Sequence, residues 1–167
     1  MNFTLVDRIA ELIPGKTICT IKQVSMAEEY LADHFPGFPV LPGVMMLESA
    51  VEAAAWLVHE HTQFTKSLVV LKEARQIRYG NFVAPGETLV ITAEAIRMSP
   101  SDSEFKIKGI VANATAIQGR LTLLHVNLSD SDAAMARIDE QIIQRRKARW
   151  TILQPPPRGH GGDGSNN

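Results

Sequence analysis

The chain has 167 residues, 45% of them hydrophobic, and a formal net charge of -1, which suits one compact core and speaks against a surface built for phosphate backbones or nucleic acid. Its single cysteine, Cys19, can make neither an internal disulfide nor a sulfur metal site, as expected of a reducing interior. The N-terminal residues lack the basic and apolar regions of a secretory signal and no stretch approaches the length of a membrane span, so a soluble, cytoplasmic protein is expected.

Residues 4–13 carry apolar side chains at helical spacing and stop at Pro14-Gly15, which predicts a short opening helix and a turn. Residues 17–24 alternate like a strand. The segment 34–48 then reads His-Phe-Pro-Gly-Phe-Pro-Val-Leu-Pro-Gly-Val-Met-Met-Leu-Glu. Three prolines fix φ and withhold donors, while Gly37 and Gly43 permit conformations and close approaches that a side chain forbids. A stiff loop therefore carries His34 into a largely apolar helix over 44–59, where Glu48 and Glu52 are the only charges before the last turn. His59 and His61 are read as solvated residues at the end of that helix, and Met45, Met46 and Leu47 as core.

Four β-rich segments follow at 67–79, 88–98, 104–114 and 119–128, separated by turn chemistry at 84–87, 99–102 and 113–116. An antiparallel meander is the economical reading, with His125 a structural residue of its last strand. One apolar helix before such a run predicts a sheet wrapped around the helix, an α+β, hot-dog-like arrangement, because each needs the other's cover. Residues 131–149 predict an amphipathic C-terminal helix capped by Asp130 or Ser131, with Arg145, Arg146, Lys147 and Arg149 at the end where the dipole favours cations. Residues 1–150 are thus one domain, and 151–167, rich in Pro, Gly, Ser and Asn, a mobile tail that holds His160.

The pattern His34-Phe-Pro-Gly-x-Pro-Val-x-Pro-Gly-Val-x-x-x-Glu48 closely resembles the active-site segment of the beta-hydroxyacyl-acyl-carrier-protein dehydratases of type II fatty acid synthesis. Val6-Asp-Arg-Ile with Pro14-Gly-Lys resembles the family's opening, and Phe82-Val-Ala-Pro-Gly-Glu87 its later Pro-Gly-Asp turn, so that residues 4–128 are covered. The resemblance implies a hot-dog fold and an obligate homodimer, often a trimer of dimers. It implies reversible dehydration of a 3-hydroxyacyl thioester on acyl carrier protein to the trans-2-enoyl thioester, with His34 from one protomer and Glu48 from the other.

That elimination needs a base for the C2 proton, an acid for the departing hydroxyl and donors for the enolate-like oxygen. His34 is the expected base, its tautomer set by a loop carbonyl such as that of Val40. Glu48, in an apolar helix that raises a carboxyl pKa, is the expected acid. The backbone N–H of Gly43, in the unpaired first turn of the helix, is the expected dock for the thioester carbonyl. Phe38 and Tyr79 are candidates for the acyl-binding wall. No metal or organic cofactor is needed, and no metal-ligand spacing or nucleotide-binding glycine pattern occurs.

The chain departs from the family in three places. Asp33 and Glu52 stand where the family usually has Gly and Gln, and Glu52 is expected to raise the shared pKa of a Glu48–Glu52 pair. Before the Pro-Gly turn, Arg78-Tyr-Gly-Asn-Phe82 replaces the family's consecutive arginines, leaving the basic run 145–149 as another surface for an acidic carrier and a specialised lipid or polyketide pathway open. Two other functions compete: thioester hydrolysis on the same fold, and an acyl- or carrier-binding subunit without turnover.

Overall fold

The computed structural model describes residues 4–154. Six antiparallel strands, β1 (Arg8–Ile13), β2 (Thr17–Gln23), β3 (Leu68–Tyr79), β4 (Thr88–Met98), β5 (Asp102–Val111) and β6 (Ala114–Val126), form one sheet in the order β1-β2-β4-β5-β6-β3. The helix α1 (Gly43–His61) lies across the inner face and touches five of them. Strand alternation supplies that face: Leu89, Ile91 and Ala93 on β4 and Phe105 and Ile107 on β5 are all buried. Ala50, Ala53 and Ala54, each at 0% exposure, let the helix backbone come close to the sheet. Each large side chain so covered contributes about 1.5–3 kcal/mol. The hot-dog arrangement expected from the sequence is the one observed.

The opening helix is not. Residues 8–13 form β1, hydrogen-bonded to β2 around the turn that Lys16 N–H closes on Ile13 O at 2.9 Å. A register shift between Ile9 and Glu11 inserts an extra residue, so the inward positions skip a beat and imitate helical spacing. The last hairpin is also tighter than expected. Ala112 and Asn113, at φ 46° and 65°, make a two-residue turn, so β5 ends at Val111 and β6 begins at Ala114.

The C-terminal helix, α2 (Ala136–Leu153), starts later and runs further than expected. Neither proposed cap caps it: Asp130 accepts from Asn127 N–H at 2.9 Å, and Ser131 ends the same short 3-10 turn upstream with its N–H on Leu128 O at 3.2 Å. Arg145 to Arg149 therefore stand inside the helix, whose last turn has no basic residue, so the dipole does not explain them. Leu153 is fully buried, which carries the domain three residues past 150. The expected mobile tail otherwise lies outside the described residues.

Asp139 fastens α2 to the sheet. Its carboxylate accepts the Ser67 hydroxyl and the N–H groups of Leu128 and Ser129, both at 2.9 Å. Against the burial that would raise it, these donors hold the Asp139 carboxyl below the ordinary carboxylate range. Packing completes the junction: Trp150 meets Trp56 with ring centres 5.9 Å apart and Phe64 at 6.0 Å. This lid buries His59, so the expected solvated histidine is a core residue, stacked on Phe64 and pushed down to about 3 by burial. His61 is exposed as expected. His125 is buried on β6 with Nε2 2.8 Å from the Ser103 hydroxyl, a structural place.

Candidate active site

The proline-glycine loop closes on itself. Phe35 and Phe38 exchange backbone hydrogen bonds at 3.2 and 2.9 Å, Val40 N–H donates to His34 O at 3.0 Å, and Leu41 N–H ties the exit to Val83 O at 2.8 Å. Gly37, at φ +84°, makes the bend. Inside this frame the His34 ring sets Nδ1 3.1 Å from the Val40 carbonyl and stacks on Phe35. A carbonyl only accepts, so Nδ1 carries a hydrogen, and in the neutral ring the lone pair is the one on Nε2. The loop thus leaves Nε2 as the ring nitrogen that can act as a base.

His34 stands on the wall of a cleft of about 330 Å³ with Gly43, Met46, Tyr79, Gly80 and Phe82. Gly43 is the first residue of α1, so its N–H has no acceptor within the helix, and the positive end of the helix opens here. A Cβ at Gly43 would lie 3.1 Å from the Tyr79 ring, so the glycine lets the helix start and the ring approach closely. The cleft therefore offers a base, an unpaired donor at a helix start and apolar walls.

Two sequence candidates act differently from expectation. Val40 is 1% exposed, so its side chain belongs to the core and only its carbonyl serves the site, by fixing His34. Phe38 is 56% exposed and stands off the cleft, with its ring edge against Phe82 at 5.7 Å. Phe82 and Gly80 are the wall residues that sequence reasoning did not choose. Their signal lies in strand pairing, since Gly80 N–H bonds Ala116 O at 2.9 Å and swings the segment off β3 toward the loop.

Glu48 is not on the walls of its own chain's cleft. Five residues after Gly43, its side chain is turned by about 140° from the glycine and lies about 7.5 Å further along the helix. It is exposed, beside Val44 at 71% exposure, while partial burial pushes its carboxyl up.

Glu52 does not form the expected pair with Glu48. Burial raises its carboxyl, while the Leu5 N–H at 3.0 Å, Trp56, Arg146 and Arg149 draw it down. Its partners come from the N-terminal segment and α2, which wrap this part of α1, and the shift at Glu48 is one of burial. Among the described residues, no cluster of His, Cys, Asp or Glu could hold a metal ion, and no helix is long and apolar enough to cross a membrane.

A model of the ApeI-like dehydratases matches residues 11–120, from the middle of β1 to the middle of β6, including the loop and helix that carry His34, Gly43 and Glu48. The chain belongs to the ApeI-like dehydratase family. The 3-hydroxyacyl-acyl-carrier-protein dehydratase FabZ of Albidiferax ferrireducens is 35% identical over 123 residues, covering 72% of this chain and 82% of that protein. FabZ of Levilactobacillus brevis is 33% identical over 71% of this chain and 80% of its own. Among solved structures, the dehydratase heterocomplex ApeI:P from Xenorhabdus doucetiae superposes with a TM-score of 0.64 at 17% identity, over 80% of this chain and 90% of that one. A mutant thioesterase from Pseudomonas aeruginosa superposes at 0.57 with 16% identity, over 72% of this chain and 81% of that one, which speaks to the fold alone. In this ApeI-like dehydratase, α2 lies wholly outside the matched region.

Proposed function

We propose that this ApeI-like dehydratase removes water from a 3-hydroxyacyl thioester carried on acyl carrier protein, giving the trans-2-enoyl thioester, and that it works as a homodimer. The observation that carries the reading is His34, held by the Val40 carbonyl as a base on the wall of an apolar cleft beside the free N–H of Gly43. Nε2 of His34 takes the C2 proton. The electron pair moves into the thioester carbonyl, whose oxygen gains charge against the Gly43 N–H at the positive end of α1. As the pair returns to form the C2–C3 double bond, the C3 hydroxyl leaves with the proton of Glu48, and water departs. Transfer of the proton from His34 back to Glu48 through solvent resets the site.

Glu48 in this scheme belongs to the partner. Its direction on α1 takes it away from its own cleft, and its exposed position beside the exposed Val44 leaves both side chains open to a partner. The sheet ends on β3, a 12-residue edge strand with Val70 and Leu71 exposed at 40% and 38%. Such an edge invites a second copy, and pairing β3 with itself gives a closed two-fold dimer.

The test is hydration of a crotonyl or longer trans-2-enoyl thioester, followed as loss of enoyl absorbance. Absorbance falls if the reading is right. Release of free thiol points instead to hydrolysis, and no product from carrier-linked chains of several lengths points to a binding subunit.

Gly43→Ala probes the dock for the carbonyl. The added methyl meets the edge of the half-exposed Tyr79 ring, which can shift toward solvent, so thermal stability stays near wild type. The methyl fills the approach to the N–H, and kcat/KM falls by about 10- to 100-fold. An unchanged kcat/KM would remove Gly43 from the site.

A further inference from the structure

The second large concavity lies between α1 and α2. It holds about 380 Å³, is floored by Glu52 and Trp56 and walled by Arg145, Arg146 and Arg149. Neither the helix dipole nor close ion pairs account for these arginines. The helix runs on past them, so they do not serve its dipole, and among the described residues none has a carboxylate within ion-pair distance. Arg146 lies over the Trp56 ring at 5.7 Å, Arg149 reaches Val6 O at 3.4 Å, and Arg145 is exposed. One carboxylate faces these three guanidinia, and it is already engaged by the Leu5 N–H. In a chain of net charge -1 this is a local excess of positive charge in a concave place.

Among the described residues, the cleft that holds His34 has no Lys or Arg on its walls. The groove does, and it adjoins the chemistry. Glu48, Glu52 and Trp56 follow one another at four-residue steps on α1, about 6 Å apart along the axis, so the groove begins one turn beyond the proposed acid. We infer that the Arg145–Arg146–Arg149 groove is the docking surface for the acidic face of the acyl carrier protein, on the protomer that lends Glu48 rather than on the one that holds His34. The inference rests on the dehydratase reading. Guanidinia spread over more than a turn of an open groove suit several carboxylates of a protein surface better than one tetrahedral anion. The other cationic concavity, around Arg78, Lys106, Lys108 and Arg120 on the outer sheet face, has one of its cations paired, Glu104 lying 3.6 Å from Arg120, and it lies on the strands rather than against the helix that carries Glu48.

The experiment compares one crotonyl group on three carriers: a stand-alone acyl carrier protein, coenzyme A and N-acetylcysteamine. Arg145→Ala and Arg145→Glu alter a side chain without a structural partner, Arg145→Glu/Arg149→Glu goes further, and Lys108→Glu serves as the sheet-face control. Arg145→Glu raises KM for the carrier-linked substrate by about tenfold, the double variant by more, and wild-type KM rises with salt. Values for N-acetylcysteamine and coenzyme A, and all values for Lys108→Glu, stay put. An unchanged carrier KM, or equal losses on all three, overturns the inference. Equal losses on carrier and coenzyme A, with the N-acetylcysteamine substrate spared, overturn it in favour of a phosphate subsite. Calorimetric binding of the carrier protein to wild type and Arg145→Glu separates this from the proposed function: binding lost in the variant upholds the surface even where wild type turns nothing over, and equal binding, or none to either, sinks it.

Discussion

His34→Ala is expected to lower turnover of an enoyl or 3-hydroxyacyl thioester by about 10²- to 10⁴-fold, the range that a positioned proton-transfer group supplies. The fold should not notice. The ring makes one hydrogen bond, to Val40 O, and one stack, on the exposed Phe35, while the loop is closed by backbone bonds that alanine retains. The lost bond costs about 1 kcal/mol or less at this half-buried position. Enoyl absorbance and a thermal melt on the same preparation therefore separate chemistry from structure. A variant with wild-type turnover ends the assignment of His34 as base. One that loses turnover only because it melts early makes the loop a structural element.

What the sequence makes legible follows from how local each feature is. The His34–Val40 contact closes within six residues, between prolines that leave the chain little choice, so the tautomer-setting carbonyl can be expected from the sequence and is found. The strands after α1 are legible for the same reason, since their turns announce themselves at 84–87 and 99–102: Glu87 N–H bonds Ala84 O at 3.0 Å and Ser99 N–H bonds Asp102 O at 2.8 Å. Residues whose surroundings come from far along the chain are not legible. His59 reads as a solvated helix end until Trp150, about ninety positions later, lands beside Trp56 and Phe64. Glu52 reads as a partner of Glu48 because spacing on one helix is all that sequence offers, whereas Leu5 and the arginines of α2 decide its state. Asp139 carries no motif, yet it gathers Ser67, Leu128 and Ser129. The β1 error has another source: a bulge breaks the two-residue beat by which a strand is recognised.

Glu48→Ala is expected to be as inactive as His34→Ala, and mixing the two inactive proteins is expected to restore activity. If each site joins His34 of one protomer to Glu48 of the other, a mixed dimer holds one site with both groups intact and one with neither. After full exchange of protomers half of the dimers are mixed, and the mixture recovers about a quarter of wild-type activity. A site built within one chain recovers nothing, because every chain in the mixture lacks one of its own groups. The pH profile of wild type carries the same logic. Burial already pushes the Glu48 carboxyl up in the single chain, and a partner covering Val44 removes more water and raises it further. The acid works while protonated, so dehydration falls as pH rises through that raised value. Glu48→Gln, which cannot release a proton, loses this alkaline limb along with the rate. Partial recovery on mixing, together with an alkaline limb that disappears in Glu48→Gln, would place the acid across the dimer interface. Recovery without the limb would keep the shared site and assign the proton to another donor.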